Sequence, residues 1–260
     1  MNDLIQWPRA KYWTGTFNPV VGCRPISEGC QNCYASSVCK RYDMNGDGQF
    51  NPTPKPNAKL PRNGVVFVGN MTDIFGEWNT DQQICDWINN LNGTAVNLIL
   101  TKRAERLSKL SPRLAHFNRY YGVTAENQER YDTRIQDLYW LKMPHKWLSL
   151  EPLLSHIELD TIHGGVTYDR CGNATNVAPY WSYLDYIDWI VVGAESIGSR
   201  PGRECKIEWV ESIVEQCVSA GVPVFVKQLH IGGKLVKDIE QFPEYLRIRQ
   251  MPWEAISGLF

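Results

Sequence analysis

Short apolar runs recur along the chain, and each is apolar throughout rather than alternating. They are Val65 to Gly69, Val96 to Leu100, Tyr120 to Val123, Lys146 to Leu150, Ile187 to Val192 and Val222 to Val226, with Trp13 to Phe17 as an additional run at the start. Continuous apolar runs are the pattern of parallel strands buried on both faces. Between them the apolar positions fall at helical spacing: Ile84, Trp87, Ile88 and Leu91 within Asp81 to Leu91; Tyr131, Ile135, Leu138 and Leu141 within Glu126 to Leu141; Val210, Ile213, Val214 and Cys217 within Ile207 to Ala220, which stops at Gly221 ahead of Pro223. Strand–helix alternation predicts right-handed βαβ units and a parallel sheet. With six or seven strands the expected architecture is an α/β fold with a partial TIM-type (β/α) barrel; a doubly wound sheet is the second choice.

Two segments break the alternation. Asp43 to Arg62 is rich in Asn, Gly and Pro, and its Asp43-x-Asn45-x-Asp47-Gly48 resembles the start of a calcium loop. Position twelve of that loop is Pro54, where a bidentate Glu is needed, so an Asx-rich turn is the competing reading. Thr161 to Leu184 is polar and reads as a surface excursion. Residues 1–260 are expected to form one domain with these two excursions and a C-terminal extension from about residue 229.

Composition adds limits. The chain has 43% hydrophobic and 21% charged residues, which is ordinary globular usage, and a net charge of −1. That balance excludes a binder that is basic over its whole surface, but not a local basic patch. One such stretch exists: between residues 102 and 119, Lys102, Arg103, Arg106, Lys109, Arg113 and Arg119 oppose only Glu105, a net +5. It is a candidate for DNA phosphates, with a solvated helix face as the alternative. No run approaches a membrane span, and Met1 to Lys11 has no apolar core of a signal peptide, so a cytoplasmic location with reduced thiols is expected.

Eight cysteines in such a setting need another reading than disulfides. Cys85, Cys171, Cys205 and Cys217 are scattered and suit burial as small apolar residues. Cys23, Cys30, Cys33 and Cys39 fall within 17 residues, the first three spaced C-x6-C-x2-C in a Gly- and Pro-bearing loop that leads into a helix from about Asn32. Soft thiolates suit an iron–sulfur cluster or zinc. Three thiolates on a four-iron cluster leave one iron open for an exogenous ligand such as S-adenosylmethionine (SAM). Zinc would need Cys39 as fourth ligand, and closed Cys₄ sites usually carry two C-x₂₋₄-C pairs where this loop has one.

The strand ends carry the remaining candidates, since function collects at the carboxyl ends of parallel strands. Gly69-Asn70-Met71-Thr72-Asp73, Thr101-Lys102-Arg103, Thr124-Ala125-Glu126-Asn127, Ser149-Leu150-Glu151-Pro152, Gly193-Ala194-Glu195-Ser196 and Lys227-Gln228 follow six successive strands. Any one could be a helix cap; together they predict a polar pocket.

On these residues the chain resembles a family of uncharacterised phage and prophage three-cysteine-motif proteins, radical-SAM-like. The matching stretches are Phe17 to Cys23, Gly29 to Ala35, Phe67 to Phe75, Leu100 to Arg103, Gly122 to Asn127, Leu148 to Leu154, Val191 to Ser196 and Phe225 to Gln228. The resemblance implies a partial TIM barrel, a 4Fe–4S cluster on Cys23, Cys30 and Cys33, SAM at the barrel mouth and an external electron donor. In that setting Asn70, Thr72 or Asp73 would contact the SAM amino group, Glu126 or Glu195 the ribose hydroxyls, with Glu151 beside them. Lys227 and Glu195 would serve the chemistry, Lys227 and Lys102 as anion anchors or proton carriers unless they pair with strand-end carboxylates. The implied substrate is a nucleic-acid base in phage DNA, for example isomerisation of an amino-acid-modified thymine. The sequence departs from the usual C-x3-C-x2-C spacing and lacks the usual Gly-Gly-Glu stretch, in whose place stands Gly69 to Asp73. Two non-radical readings are a zinc-stabilised nucleic-acid-binding protein and a hydrolase using Glu126, Glu151 and Glu195.

Overall fold

The computed structural model describes residues 9–115, 117–159, 162–168 and 174–253. One sheet of eight strands organises them: β1 (Gly15–Phe17), β2 (Val65–Val68), β3 (Val96–Thr101), β4 (Arg119–Thr124), β5 (Lys146–Leu150), β6 (Trp189–Gly193), β7 (Val224–Ile231) and β8 (Lys234–Val236). Their spatial order is their chain order. The first seven pair in parallel, and β8 folds back antiparallel on β7.

Helices α1 (Tyr34–Arg41), α2 (Asp81–Asn89), α3 (Ala104–Leu110), α4 (Gln128–Tyr139) and α5 (Ile207–Ala220) fill five of the six crossovers. Their limits follow local chemistry. Thr80 and Gln83 form a capping box at the start of α2, Asn127 accepts from the Arg130 N–H at the start of α4, and Gly221 ends α5 in the left-handed region. The described residues of the β5–β6 crossover hold no α-helix. The excursion there is an antiparallel ribbon, Ile162–Tyr168 against Ala174–Ser182, followed by a short 3₁₀ turn at Tyr183–Tyr186. Cys171 lies outside the described residues.

Strands that follow one another in space, joined by crossovers of one hand, send every crossover over the same face. That face is covered: Val66, Val68, Ile99, Tyr121, Leu148, Ile190 and Val224 point into one large core with α2 to α5. The alternate positions, Val65, Phe67, Leu98, Trp147, Trp189, Val191 and Phe225, form a second core around Tyr12. Among the described residues no helix packs on this second face, and the sheet curls over it. The Tyr12 ring lies 6.3 Å from Phe67 on β2 and 5.4 Å from Phe225 on β7, so those rings are at most about 12 Å apart. Five flat strand intervals would separate them by ~24 Å. The sheet is therefore strongly curved; it is not closed, and no doubly wound order is present.

In the 43–62 segment Thr53–Pro54 pairs with Val20–Val21. The Asp43 and Asp47 carboxylates accept from the Gly48 and Gln49 N–H groups, and Lys55 Nζ donates to the Met44 carbonyl. That is the Asx-turn arrangement. No described helix is long and apolar enough to cross a membrane.

A cysteine-lined pocket at the strand ends

A cavity of about 250 Å³ opens at the carboxyl ends of the parallel strands. Its lining includes Cys23, Cys30 and Cys33, the rings of Tyr12, Trp13 and Phe67, and Glu151 and Lys227. All three thiols are half-buried. Cys39 does not join them: it is fully buried with Val21, Ala35 and Met71, and its thiol donates to the Gln49 carbonyl at 3.4 Å. Among the described residues no three His, Cys, Asp or Glu side chains converge as a single metal ion would gather them.

The cysteine loop is fastened to the strand ends from three sides. Beyond β2, the Asp73 carboxylate accepts from the Thr101 hydroxyl (2.8 Å), the Phe75 N–H (3.0 Å), the Lys102 N–H (3.1 Å) and Arg103 Nη1 (3.1 Å). Arg103 in turn reaches the Arg24 carbonyl at 3.3 Å and lies over the Trp78 ring. Beyond β4, Glu126 is fully buried and takes Ser27 Oγ at 2.5 Å, Lys102 Nζ at 2.8 Å and Arg134 Nη1 at 2.7 Å. Asn127 and Arg130 hold Glu28 of the same loop. Beyond β6, Glu195 accepts from Asn32 Nδ2 (3.0 Å), the Arg203 N–H (2.9 Å), Arg203 Nε (2.9 Å) and Arg203 Nη2. Two glycines make the close approach possible: a Cβ on Gly29 would fall 2.5 Å from Glu126 Cγ, and one on Gly202 2.5 Å from Glu195 Oε2.

A carboxylate offers about four acceptor sites. Asp73 and Glu195 each use four, and Glu126 uses three with no exposed surface, so these strand-end acids work as struts for the loop. Asn70 and Thr72 do similar work. Asn70 bonds Asn18 and Tyr34, while the Thr72 hydroxyl donates to the Gly22 carbonyl at 2.6 Å. Glu151 accepts from Lys227 Nζ at 2.7 Å and the Tyr12 hydroxyl at 3.1 Å. Lys227 Nζ also lies 5.6 and 5.8 Å from the Tyr12 and Trp13 rings. Lys102 and Lys227 thus both pair with strand-end carboxylates.

These contacts set the protonation states. Burial pushes Glu126 up, but Lys102 and Arg134, with the hydrogen bonds from Lys102 and Ser27, outweigh it and bring the group down to about 2. Glu195 goes the same way: burial raises it, and Arg203 and Asn32 hold it below the usual range. A general acid for glycoside hydrolysis needs the opposite shift, so these two carboxyls do not suit that one role. Burial and the Asp73 charge push the Cys23 thiol up to about 12, against the pull of Arg103.

The 102–119 stretch is not an exposed basic band. Lys102, Arg103 and Arg106 pair with Glu126, Asp73, Glu77 and Asp81, and Arg119 is buried, donating to the Ile88 and Leu91 carbonyls. Lys109 pairs with Glu105 on the surface. The count of +5 left out acids brought in from other segments.

Sequence reasoning missed Tyr12, Ser27, Arg134 and Arg203. Ser27 lies within the motif and was available; Arg134 and Arg203 carry no local signal, because each meets its carboxylate only once a helix or a loop has turned back.

No curated protein and no solved structure matches the chain. A family model described as "Protein of unknown function (DUF5131)" matches residues 5–241. With the match spanning the cysteine loop and every strand that lines the pocket, the chain belongs to the DUF5131 family.

Proposed function

We propose that the protein is a radical SAM enzyme on an open, partial TIM-type barrel, with a 4Fe–4S cluster on Cys23, Cys30 and Cys33. The observation that carries this reading is three half-buried cysteines lining the strand-end pocket, with the fourth nearby thiol, Cys39, turned into a separate core. The donor set fits the group. Three soft thiolates line the pocket, and Cys39, which a closed Cys₄ zinc site would need as its fourth ligand, lies in a separate core.

When bound, such a cluster supplies the electron that cleaves the SAM sulfonium and gives a 5′-deoxyadenosyl radical for hydrogen abstraction. The chain's own residues do the rest. Asp73 with Arg103, Glu126 and Glu195 hold the cysteine loop over the strand ends. The Tyr12, Trp13 and Phe67 rings form a dry wall, which a primary carbon radical needs. Lys227 spends one of its three N–H groups on Glu151 and has donors left for an oxygen of the substrate. The nucleic-acid base that the resemblance implies draws its support from this aromatic wall, not from the 102–119 stretch.

Anaerobic purification with iron and acid-labile sulfide analysis tests the reading, followed by assay of 5′-deoxyadenosine release from SAM under reductant. A brown protein with near-equal iron and sulfide that releases 5′-deoxyadenosine is expected. A colourless protein, or one holding zinc, overturns it.

A further inference from the structure

We infer that Ser27 is a positioning residue for Cys30: Glu126 holds its hydroxyl proton, so Ser27 presents oxygen rather than hydrogen to the Cys30 sulfur and thereby keeps the bound cluster at low potential. The inference rests on the cluster reading above and concerns how this chain tunes that site.

Ser27 Oγ lies 2.5 Å from Glu126 Oε1 and 3.7 Å from Cys30 Sγ. A hydroxyl has one proton, and between an ionised carboxylate and a sulfur the carboxylate is the stronger acceptor. The arrangement has little slack. Glu126 is fixed by Lys102 and Arg134, Gly29 lies too close to it to tolerate a Cβ, and the Cys30 N–H bonds the Ser27 carbonyl at 3.0 Å. Ser27 and Cys30 therefore move together over a stationary carboxylate.

A free Cys30 thiol can donate to the Ser27 oxygen. A metal-bound thiolate has no proton, and it then faces the negative end of the hydroxyl dipole. Hydrogen bonds to cluster sulfurs are among the levers that set the potential. A donor stabilises the more negative, reduced state, and an oxygen lone pair does the reverse. Reductive cleavage of a sulfonium needs a strong reductant, so the orientation dictated by Glu126 suits the proposed chemistry.

The test is an EPR-monitored redox titration of the reconstituted wild type, Ser27→Ala, Ser27→Val and Ser27→Thr. Ser27→Ala and Ser27→Val are expected to titrate at a less negative potential, and Ser27→Thr, which keeps the hydroxyl, at the wild-type value. An unchanged or more negative potential in the Ala and Val variants at full iron content overturns the inference and leaves the cluster reading standing. Failure of both to load iron also overturns it, because the role then lies in assembly. A wild type that binds no cluster removes the reading of the site and this inference with it.

Discussion

Glu126→Gln isolates the charge that fastens the cysteine loop. Glutamine keeps the shape and can still accept from Ser27, but Lys102 and the buried Arg134 lose their counter-ion. The folded-state carboxyl titrates at about 2 against an ordinary value of 4.5. At 1.36 kcal/mol per pKa unit this difference corresponds to about 3 kcal/mol of stability above the unfolded pKa. The group is depressed on folding, so that contribution is complete at neutral pH and is lost as pH falls from about 4.5 through about 2. Urea denaturation of both proteins should give a gap of about 3 kcal/mol near pH 7, shrinking to less than half of that near pH 3, where the native carboxylate is already losing its advantage. A gap that is the same at both pH values would refute the reasoning, because the stabilisation would then come from packing rather than from the ionised group.

Cys23→Ser, Cys30→Ser and Cys33→Ser should each lose most of the bound iron in elemental analysis, while Cys39→Ser should retain it. Gly29→Ala keeps every thiol yet drives a methyl into Glu126; overpacking of this kind costs about 1–3 kcal/mol, and urea denaturation should show that loss together with reduced iron content. Arg119→Ala removes a guanidinium that satisfies the carbonyls of Ile88 and Leu91, and should cost about 3 kcal/mol by thermal or urea unfolding, since buried groups are left unpaired. Lys109→Ala, which removes one exposed pair with Glu105, should change stability by less than about 1 kcal/mol.

The strands were legible because both faces of the sheet are buried, which leaves runs such as Trp189–Gly193 with no polar position to interrupt them. Singly wound order was legible only as a class. The curl that brings Phe67 and Phe225 around Tyr12 is a consequence of all crossovers taking one face, and Tyr12, outside any strand, carries no periodic signal. The charge count for the 102–119 stretch was incomplete for a related reason. Ala104, Leu107 and Leu110 mark the buried side of α3 at helical spacing, but a local charge count cannot see Asp73, Glu77, Asp81 and Glu126 arriving from three other segments.

The same limit explains why the positions of the strand-end residues were legible and their bonding partners were not. Polar groups at successive strand ends do mark the mouth of a parallel sheet, and Asp73, Glu126, Glu151, Glu195 and Lys227 all stand at or beside the pocket. What a carboxylate does there depends on how many donors already reach it, and those donors come from the loop itself: Ser27 for Glu126, Asn32 for Glu195, and the Arg103 that also grips Arg24 for Asp73. A loop of Gly, Pro and Cys has little core of its own and cannot hold three thiols in a fixed arrangement. Charged struts from three strands supply that rigidity. It follows that the acids nearest the cysteines are the least available to a ligand, and that Lys227, with unspent N–H groups at the aromatic wall, is where a substrate contact should be sought first.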